Sequence, residues 1–154
     1  MIKHIVFLAF FFISSLSAID PDLPKAYRYI DVAEVFQQWR HEEAGQFLFG
    51  GGDFNGDGLI DGAQLVVKID TDEVVLLVHL AIKGGHYFEW VELTAFPMEA
   101  LKSTGIRMIR PRQIDYYTSP QKSKKSQIYL MTDAINLFSA DEVASIFFWD
   151  FGQQ

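Results

Sequence analysis

Oxygen-bearing side chains recur at alternate positions in one short segment of the sequence, residues 53–61. Asp53, Asn55, Asp57 and Asp61 occupy positions 1, 3, 5 and 9 of this segment. Calcium takes about six to eight hard oxygen ligands, and a chain supplies them most compactly by turning around the ion with alternate side chains inward. The spacing therefore predicts a calcium site. Asp53, Asn55 and Asp57 bind directly, Leu59 contributes its backbone carbonyl, and Asp61 binds directly or through water.

Two glycines in the same segment support this interpretation. Gly58, at position 6, permits the sharp turn that brings the later ligands back, and Gly56 relieves crowding between two of them. Three carboxylates this close repel one another without a cation, which favours an occupied site. The alternative is a turn without metal, because Asp, Asn and Gly also favour tight turns. If calcium binds, we expect its role to be structural rather than catalytic.

The segment resembles the calcium loop of FG-GAP, integrin-type repeats, in which the loop joins two strands. It is also similar to the loop of EF-hands and dockerins. An EF-hand has a bidentate Glu at position 12, whereas this chain has Gln64, followed by strand-like residues. The resemblance therefore implies the strand-flanked type. It covers about fifteen residues and occurs once, so it does not imply a β-propeller. The whole chain resembles small exported bacterial proteins that carry one such loop and a segment like residues 144–150.

The elements that must position this loop are one helix and several strands. Asp31 is a candidate helix cap, and Glu34 three residues later completes a capping box. The apolar residues at helical spacing are Val32, Val35, Phe36 and Trp39, and Gly45 is a plausible stop. Beyond Gly45, apolar segments separated by turn residues indicate strands. They are residues 47–49, 63–69, 73–82, 86–93, 106–109, 127–131, 134–138 and 144–149.

These elements predict an α+β fold. We expect an N-terminal amphipathic helix packed on a mainly antiparallel β-sheet, with one calcium-binding loop between the early strands. A polar, lysine-containing loop is expected over residues 118–126.

The first eighteen residues have the pattern of a secretory signal peptide. Lys3 precedes an apolar run over residues 5–13, and small residues follow up to Ala18. The run is about half of the ~20 residues needed to cross a bilayer. We therefore expect residues 1–18 to be removed and residues 19–154 to form a single domain, periplasmic or secreted, with no stable membrane insertion. The alternative is an uncleaved anchor or a buried strand.

Composition narrows the function further. The 154 residues carry a formal net charge of -7 and no cysteine. The acidic balance argues against nucleic acid as a partner, because phosphate backbones demand clustered Lys and Arg. The absence of cysteine excludes disulfides, thiolate metal sites and a cysteine nucleophile. No serine nucleophile, zinc-protease, Walker or dinucleotide motif is present, so no catalytic residue is predicted.

Other candidate residues have simpler explanations. His79 and His86 flank a Gly-Gly turn and suggest a transition-metal pair, but the sequence offers no third ligand. Glu89 and Glu92 have opposite parity on one strand, which does not suit an acid/base pair. Three further groups are candidates for binding. The glycines at residues 50–52 suggest a phosphate-binding loop, and Lys122, Lys124 and Lys125 suggest a basic patch for an acidic partner. The aromatic residues Phe147, Phe148, Trp149 and Phe151 suggest a partner or ligand face.

The sequence thus predicts an exported calcium-binding domain that acts as a non-catalytic binding protein for a protein or cell-envelope partner. One specific version is a periplasmic inhibitor or immunity protein. The alternative is a small calcium-dependent hydrolase, which needs an open calcium position beside a cleft that contains a base.

Overall fold

The computed structural model describes residues 22–35, 47–84, 88–117, 125–139 and 144–150, and every structural statement below concerns these ranges. They contain the short helix α1 (Val32–Val35), a 3-10 helix (Met98–Lys102) and ten strands. The strands are β1 (Tyr27–Tyr29), β2 (Phe49–Gly52), β3 (Asp61–Lys68), β4 (Glu73–Ala81), β5 (Phe88–Phe96), β6 (Thr104–Ile109), β7 (Gln113–Tyr117), β8 (Lys125–Tyr129), β9 (Ala134–Ser139) and β10 (Ser145–Phe147).

The first sheet has five antiparallel strands. β3, β4 and β5 follow one another as a meander, and β1 and β2 both pair with the same side of β3. β2 pairs with the beginning of β3 and β1 with its end. The central strands β3 and β4 are rich in Val and Leu, which suits strands that are covered on both faces.

The remaining strands form two smaller antiparallel units. β6, β9 and β10 make a three-stranded sheet with β9 in the centre, while β7 and β8 form a two-stranded hairpin. The hairpin packs on the outer face of the three-stranded sheet through a small apolar cluster. Its members are Ile109, Leu130, Ala134, Ile114 and Ile146.

The main core lies between the two larger sheets. Alternate residues of β3 and β4, including Leu65, Leu76 and Leu80, face Ile106 and Ile135 of the three-stranded sheet. Period-2 alternation explains which residues face inward, because successive side chains of a strand point to opposite faces. The structure is therefore a sandwich of two antiparallel sheets.

One side of this sandwich is joined by backbone hydrogen bonds. The Leu48 carbonyl accepts a bond from the Leu65 N–H at 2.8 Å, and the Phe47 carbonyl accepts one from the Ile106 N–H at 2.8 Å. The chain before β2 thus bonds to both sheets. On the opposite side lie the outer strands β5 and β10, each of which pairs with one strand only among the described residues.

The α+β fold class predicted from the sequence is wrong. The predicted cap does form: the Asp31 carboxylate accepts from the Ala33 N–H at 2.9 Å, and the Glu34 carboxylate accepts from the Asp31 N–H at 2.7 Å. However, within the described ranges the helix that follows has four residues and contributes only Val35 to the main core. The sheet face that we expected a helix to cover is covered by the second sheet, because β6, β9 and β10 carry apolar residues at strand period.

Two sequence predictions lie outside the described ranges. They are the signal peptide over residues 1–18 and the continuation of the helix from Phe36 to Gly45. The polar loop predicted over residues 118–126 also lies outside them, except for its last two residues, which belong to β8. The strand predictions agree well with the structure for β3, β4, β6, β9 and β10. β7 was not predicted. No helix in the described part of the chain is long and apolar enough to span a membrane.

Gly62 lies against the ring of His79 on the outer face of the first sheet, where a side chain would not fit. Gly62 and His79 are cross-strand partners, and a Cβ on Gly62 would lie 2.0 Å from His79 Cε1. The imidazole packs against Phe88 and Trp90, with ring centroids 5.3 and 5.2 Å away. The ring therefore occupies the space above the glycine. His86, its suggested metal partner, lies outside the described residues.

We predict that Gly62→Ala destabilises the fold by about 1–3 kcal/mol, because the new methyl group displaces the packed imidazole. Chemical denaturation measures the change. The same substitution in a His79→Ala background should cost much less, because the space is then empty. Equal costs in both backgrounds would contradict this assignment.

Candidate metal centre

The candidate site is the loop that connects β2 to β3, called here the 53–61 loop. β2 ends at Gly52 and β3 begins at Asp61, so the loop is flanked by two antiparallel strands. Gly56 and Gly58 have φ angles of 77° and 84°, in the left-handed region that residues with a Cβ rarely adopt. The two glycines therefore allow the chain to wind tightly between the strands.

The loop winds around its own polar side chains. The Asp53 carboxylate accepts hydrogen bonds from the N–H groups of Gly56 at 2.7 Å and Gly58 at 3.0 Å. Asn55 Oδ1 accepts from the Asp57 N–H at 3.1 Å, and Asp57 Oδ1 accepts from the Leu59 N–H at 2.8 Å. Asn55 Nδ2 also donates to Asp57 Oδ2 at 3.2 Å. The structure thus gathers three of the predicted ligands, Asp53, Asn55 and Asp57, inside one turn of chain.

Asp61 is held differently from the other three. Its side chain is buried, and its two oxygens accept hydrogen bonds from the N–H groups of Phe54 at 2.8 Å and Ala81 at 2.9 Å. Burial raises the pKa of the Asp61 carboxyl, and backbone N–H groups, that of Ala81 first, oppose the rise. Asp61 therefore fastens the loop to the end of β4, a role that the motif alone did not predict.

A second carboxylate, Asp133, fastens the loop to the three-stranded sheet. Asp133 Oδ2 accepts from the Asp53 N–H at 3.0 Å, and the Asp133 N–H donates to the Asp53 carbonyl at 3.1 Å. The Thr132 hydroxyl donates to the Phe54 carbonyl at 2.9 Å. Arg110 Nη1 lies 2.8 Å from Asp133 Oδ2, but the Arg110 side chain is 76% exposed. Both Asp133 and Thr132 are buried.

Sequence reasoning missed Thr132, Asp133 and Arg110. Asp133 lies 80 residues from its partner Asp53, so no local spacing connects them. The available signal was a polar pair, Thr132 and Asp133, immediately before the apolar strand β9. Gly52 makes the approach possible, because a Cβ there would lie 2.8 Å from two atoms of the Asp133 side chain.

The loop also places an aromatic ring in the main core. Phe54, between the predicted ligands Asp53 and Asn55, is buried and belongs to the cluster between the two sheets. Its N–H and carbonyl are the groups that bond to Asp61 and Thr132. The conformation of the loop and the packing of the core are therefore linked through this one residue.

The donor set can be compared with what calcium requires. Among the described residues, no three His, Cys, Asp or Glu side chains come together as a metal-binding group. The predicted set draws on an amide and a backbone carbonyl as well, from Asn55 and Leu59. A carboxylate oxygen that accepts one N–H bond retains a lone pair for a cation, so the observed hydrogen bonds are compatible with calcium.

An open hollow of about 600 Å³ lies beside the loop. Its lining residues are Asp53, Gly56, Pro111, Met131, Thr132 and Asp133. Both carboxylates in this lining already accept hydrogen bonds from backbone N–H groups. Comparisons of the chain with protein-family models, with curated proteins and with solved structures find no match. The site must therefore be interpreted from its own geometry.

We predict that Asp133→Ala lowers the free energy of unfolding by about 1–3 kcal/mol, because it leaves the Asp53 N–H without its acceptor. Arg110→Ala should cost less than about 1 kcal/mol, since the Arg110 side chain is 76% exposed and its charge is largely screened by solvent. Urea denaturation of the two variants distinguishes the contributions. Equal losses would show that the ion pair, rather than the backbone contact, holds the loop.

Proposed function

We propose that this protein is an exported calcium-binding domain that acts as a non-catalytic binding protein. The observation that carries the proposal is the winding of Asp53, Asn55 and Asp57 inside one turn between two strands, which two left-handed glycines permit. This geometry agrees with the strand-flanked type of calcium loop that the sequence resembles. The proposed ligands are the side chains of Asp53, Asn55, Asp57 and Asp61 and the carbonyl of Leu59.

The proposed role of calcium is structural. A cation among these oxygens offsets the repulsion between Asp53 and Asp57, and it strengthens the turn that holds Phe54 in the core. Extracellular modules bind calcium with dissociation constants of about 10⁻⁴ to 10⁻³ M, so such a site fills outside the cell and stays empty in the cytosol. The domain is thereby stabilised where it is exported.

Export is proposed from the pattern of residues 1–18, which predicts a periplasmic or secreted protein. A chain without cysteine has no disulfide to stabilise it outside the cell. Bound calcium supplies an alternative, because a ligand that binds only the folded state adds to its stability. A periplasmic inhibitor or immunity protein is one specific form of this proposal.

The calcium-dependent hydrolase is less well supported by the geometry. It requires a group beside the loop that accepts a proton from water or substrate. The carboxylates of Asp53 and Asp133 are the acidic groups in the lining of the hollow. Asp53 is itself a proposed calcium ligand, and Asp133 is buried and bonded to the Asp53 N–H and to Arg110, so neither is set apart to act as the base. In contrast, Phe148 and Trp149 are exposed, 43% and 47%, which favours a partner-binding surface.

The calcium site is tested by thermal unfolding of the purified protein in calcium and in chelator. Calcium at about one hundred times its dissociation constant stabilises by about 2.7 kcal/mol, so Tm should rise by roughly 5 to 10 °C. Asp57→Ala should abolish the shift, because it removes a ligand from the exposed side of the loop. Asp70→Ala, at an exposed turn outside the loop, is the matched control and should retain it.

A wild-type Tm that is the same in calcium and in chelator would reject the calcium proposal and leave a metal-free turn. A shift that persists in Asp57→Ala would place the ion elsewhere on this acidic chain.

A further inference from the structure

The side of the sandwich where the outer strands β5 and β10 lie carries an apolar cleft between these two strands. The cleft has a volume of about 80 Å³. Its lining combines inward residues of the first sheet with aromatic residues at the end of the chain: Phe54, Val78, Leu80, Val91, Leu93, Ile135, Phe147, Phe148 and Trp149. An apolar cavity of about 150 Å³ accommodates benzene, so this cleft accepts one small aliphatic side chain.

The backbone beside the cleft is the outer edge of β5. Residues 88–92 pair regularly with β4. The register then shifts at Leu93, which forms a bulge between Glu92 and Thr94, the partners of Leu77 and Leu76. Among the described residues only β4 pairs with β5. Sheet edges are commonly protected by Pro, by charged side chains, by a β-bulge or by a covering element. β5 contains no Pro, Lys or Arg, and its bulge at Leu93 lies beyond residues 88–92. Residues 88–92 therefore keep a regular edge, which a further strand can join if its charge complements Glu89.

The negative charge of Glu89, beside the cleft, indicates what kind of strand would pair with the edge of β5. Glu89 is the cross-strand partner of the core residue Leu80, so it lies on the same face of β5 as Val91, at the end of the apolar row. It is exposed, and no described cation lies within ion-pair distance of it. Glu92 points to the opposite face, where it pairs with Lys68 at 2.9 Å. A basic side chain at the end of an apolar strand therefore complements this edge.

We propose that an extended segment of a partner protein adds to the edge of β5, places an aliphatic side chain in the cleft and pairs a Lys or Arg with Glu89. The inference rests on the proposed role as a binding protein, but not on calcium. Main-chain hydrogen bonds supply affinity in this mode of recognition, and pockets for alternate side chains supply specificity. A second copy of this chain is a poorer occupant, because it carries the same net charge of -7 and presents Glu89 again.

The probe is the acetylated and amidated peptide Lys-Thr-Val-Thr-Val-Thr-Lys, whose Val and Lys side chains share one face in either orientation. The control peptide has Pro at the central Thr, which removes an N–H and disrupts the strand. Binding is measured by calorimetry with the purified protein. The Val peptide should bind at least about tenfold more tightly than the Pro peptide. When the Val peptide binds, amide hydrogen exchange should slow at those N–H groups of residues 88–92 that point away from β4.

Protein variants test the assigned contacts. Trp149→Ala should weaken binding about tenfold, because the exposed indole lines the cleft that receives the Val side chain. Glu89→Lys should weaken binding about three- to tenfold, and a peptide with Glu in place of both Lys residues should restore it. Glu99→Lys, at an exposed position on the 3-10 helix, is the matched control and should bind like the wild type.

Several results would overturn the proposal. Equal binding of the Val and Pro peptides, or equal weakening by Glu89→Lys and Glu99→Lys, would indicate non-specific attraction to an acidic protein. Some N–H groups of residues 88–92 bond to β4 and exchange slowly in any case. If the outward N–H groups also exchange slowly without peptide, the edge is already occupied, by a second copy if the protein is a dimer in light scattering and by its own chain if it is a monomer. The calcium response is measured separately, so failure of the peptide leaves the calcium proposal standing.

Discussion

The structure depends most on a buried carboxylate, Asp61, at the start of β3. A buried carboxylate is costly unless its oxygens are hydrogen-bonded, and here the N–H groups of Phe54 and Ala81 provide those bonds. The first lies in the 53–61 loop and the second at the end of β4. One side chain therefore fixes the path of the loop, the position of the Phe54 ring and the pairing of two central strands.

Asp133 completes the connection from the other sheet. It bonds to the backbone of Asp53 on both sides, while Thr132 bonds to the carbonyl of Phe54. The loop is consequently tied to both layers of the sandwich, and the ring of Phe54 lines the apolar cleft between β5 and β10. The proposed calcium ion would stabilise the loop that positions this ring, and the ring is part of the surface proposed for a partner strand.

The sequence predicted the structure correctly where the predictive pattern lies within a few neighbouring residues. The alternation in β3 and β4, the capping box at Asp31 and the glycines of the 53–61 loop all act within a few residues, and each has its expected place in the structure. The fold class was wrong because helical spacing after Asp31 does not reveal which element covers the sheet. Asp133 was missed for a related reason, since its partner is distant in sequence and its role depends on how two sheets pack.

Calcium is proposed to bind within the 53–61 loop. A calcium titration followed by ¹H–¹⁵N correlation spectra of the full chain tests it most directly. We expect saturable shifts at one equivalent of bound calcium, largest for Gly56, Gly58 and Leu59, because their N–H groups donate to the carboxylates that would bind the ion. Spectra unchanged up to about 10 mM calcium, well above the affinity of extracellular modules, or small shifts spread over acidic residues elsewhere, would contradict the claim.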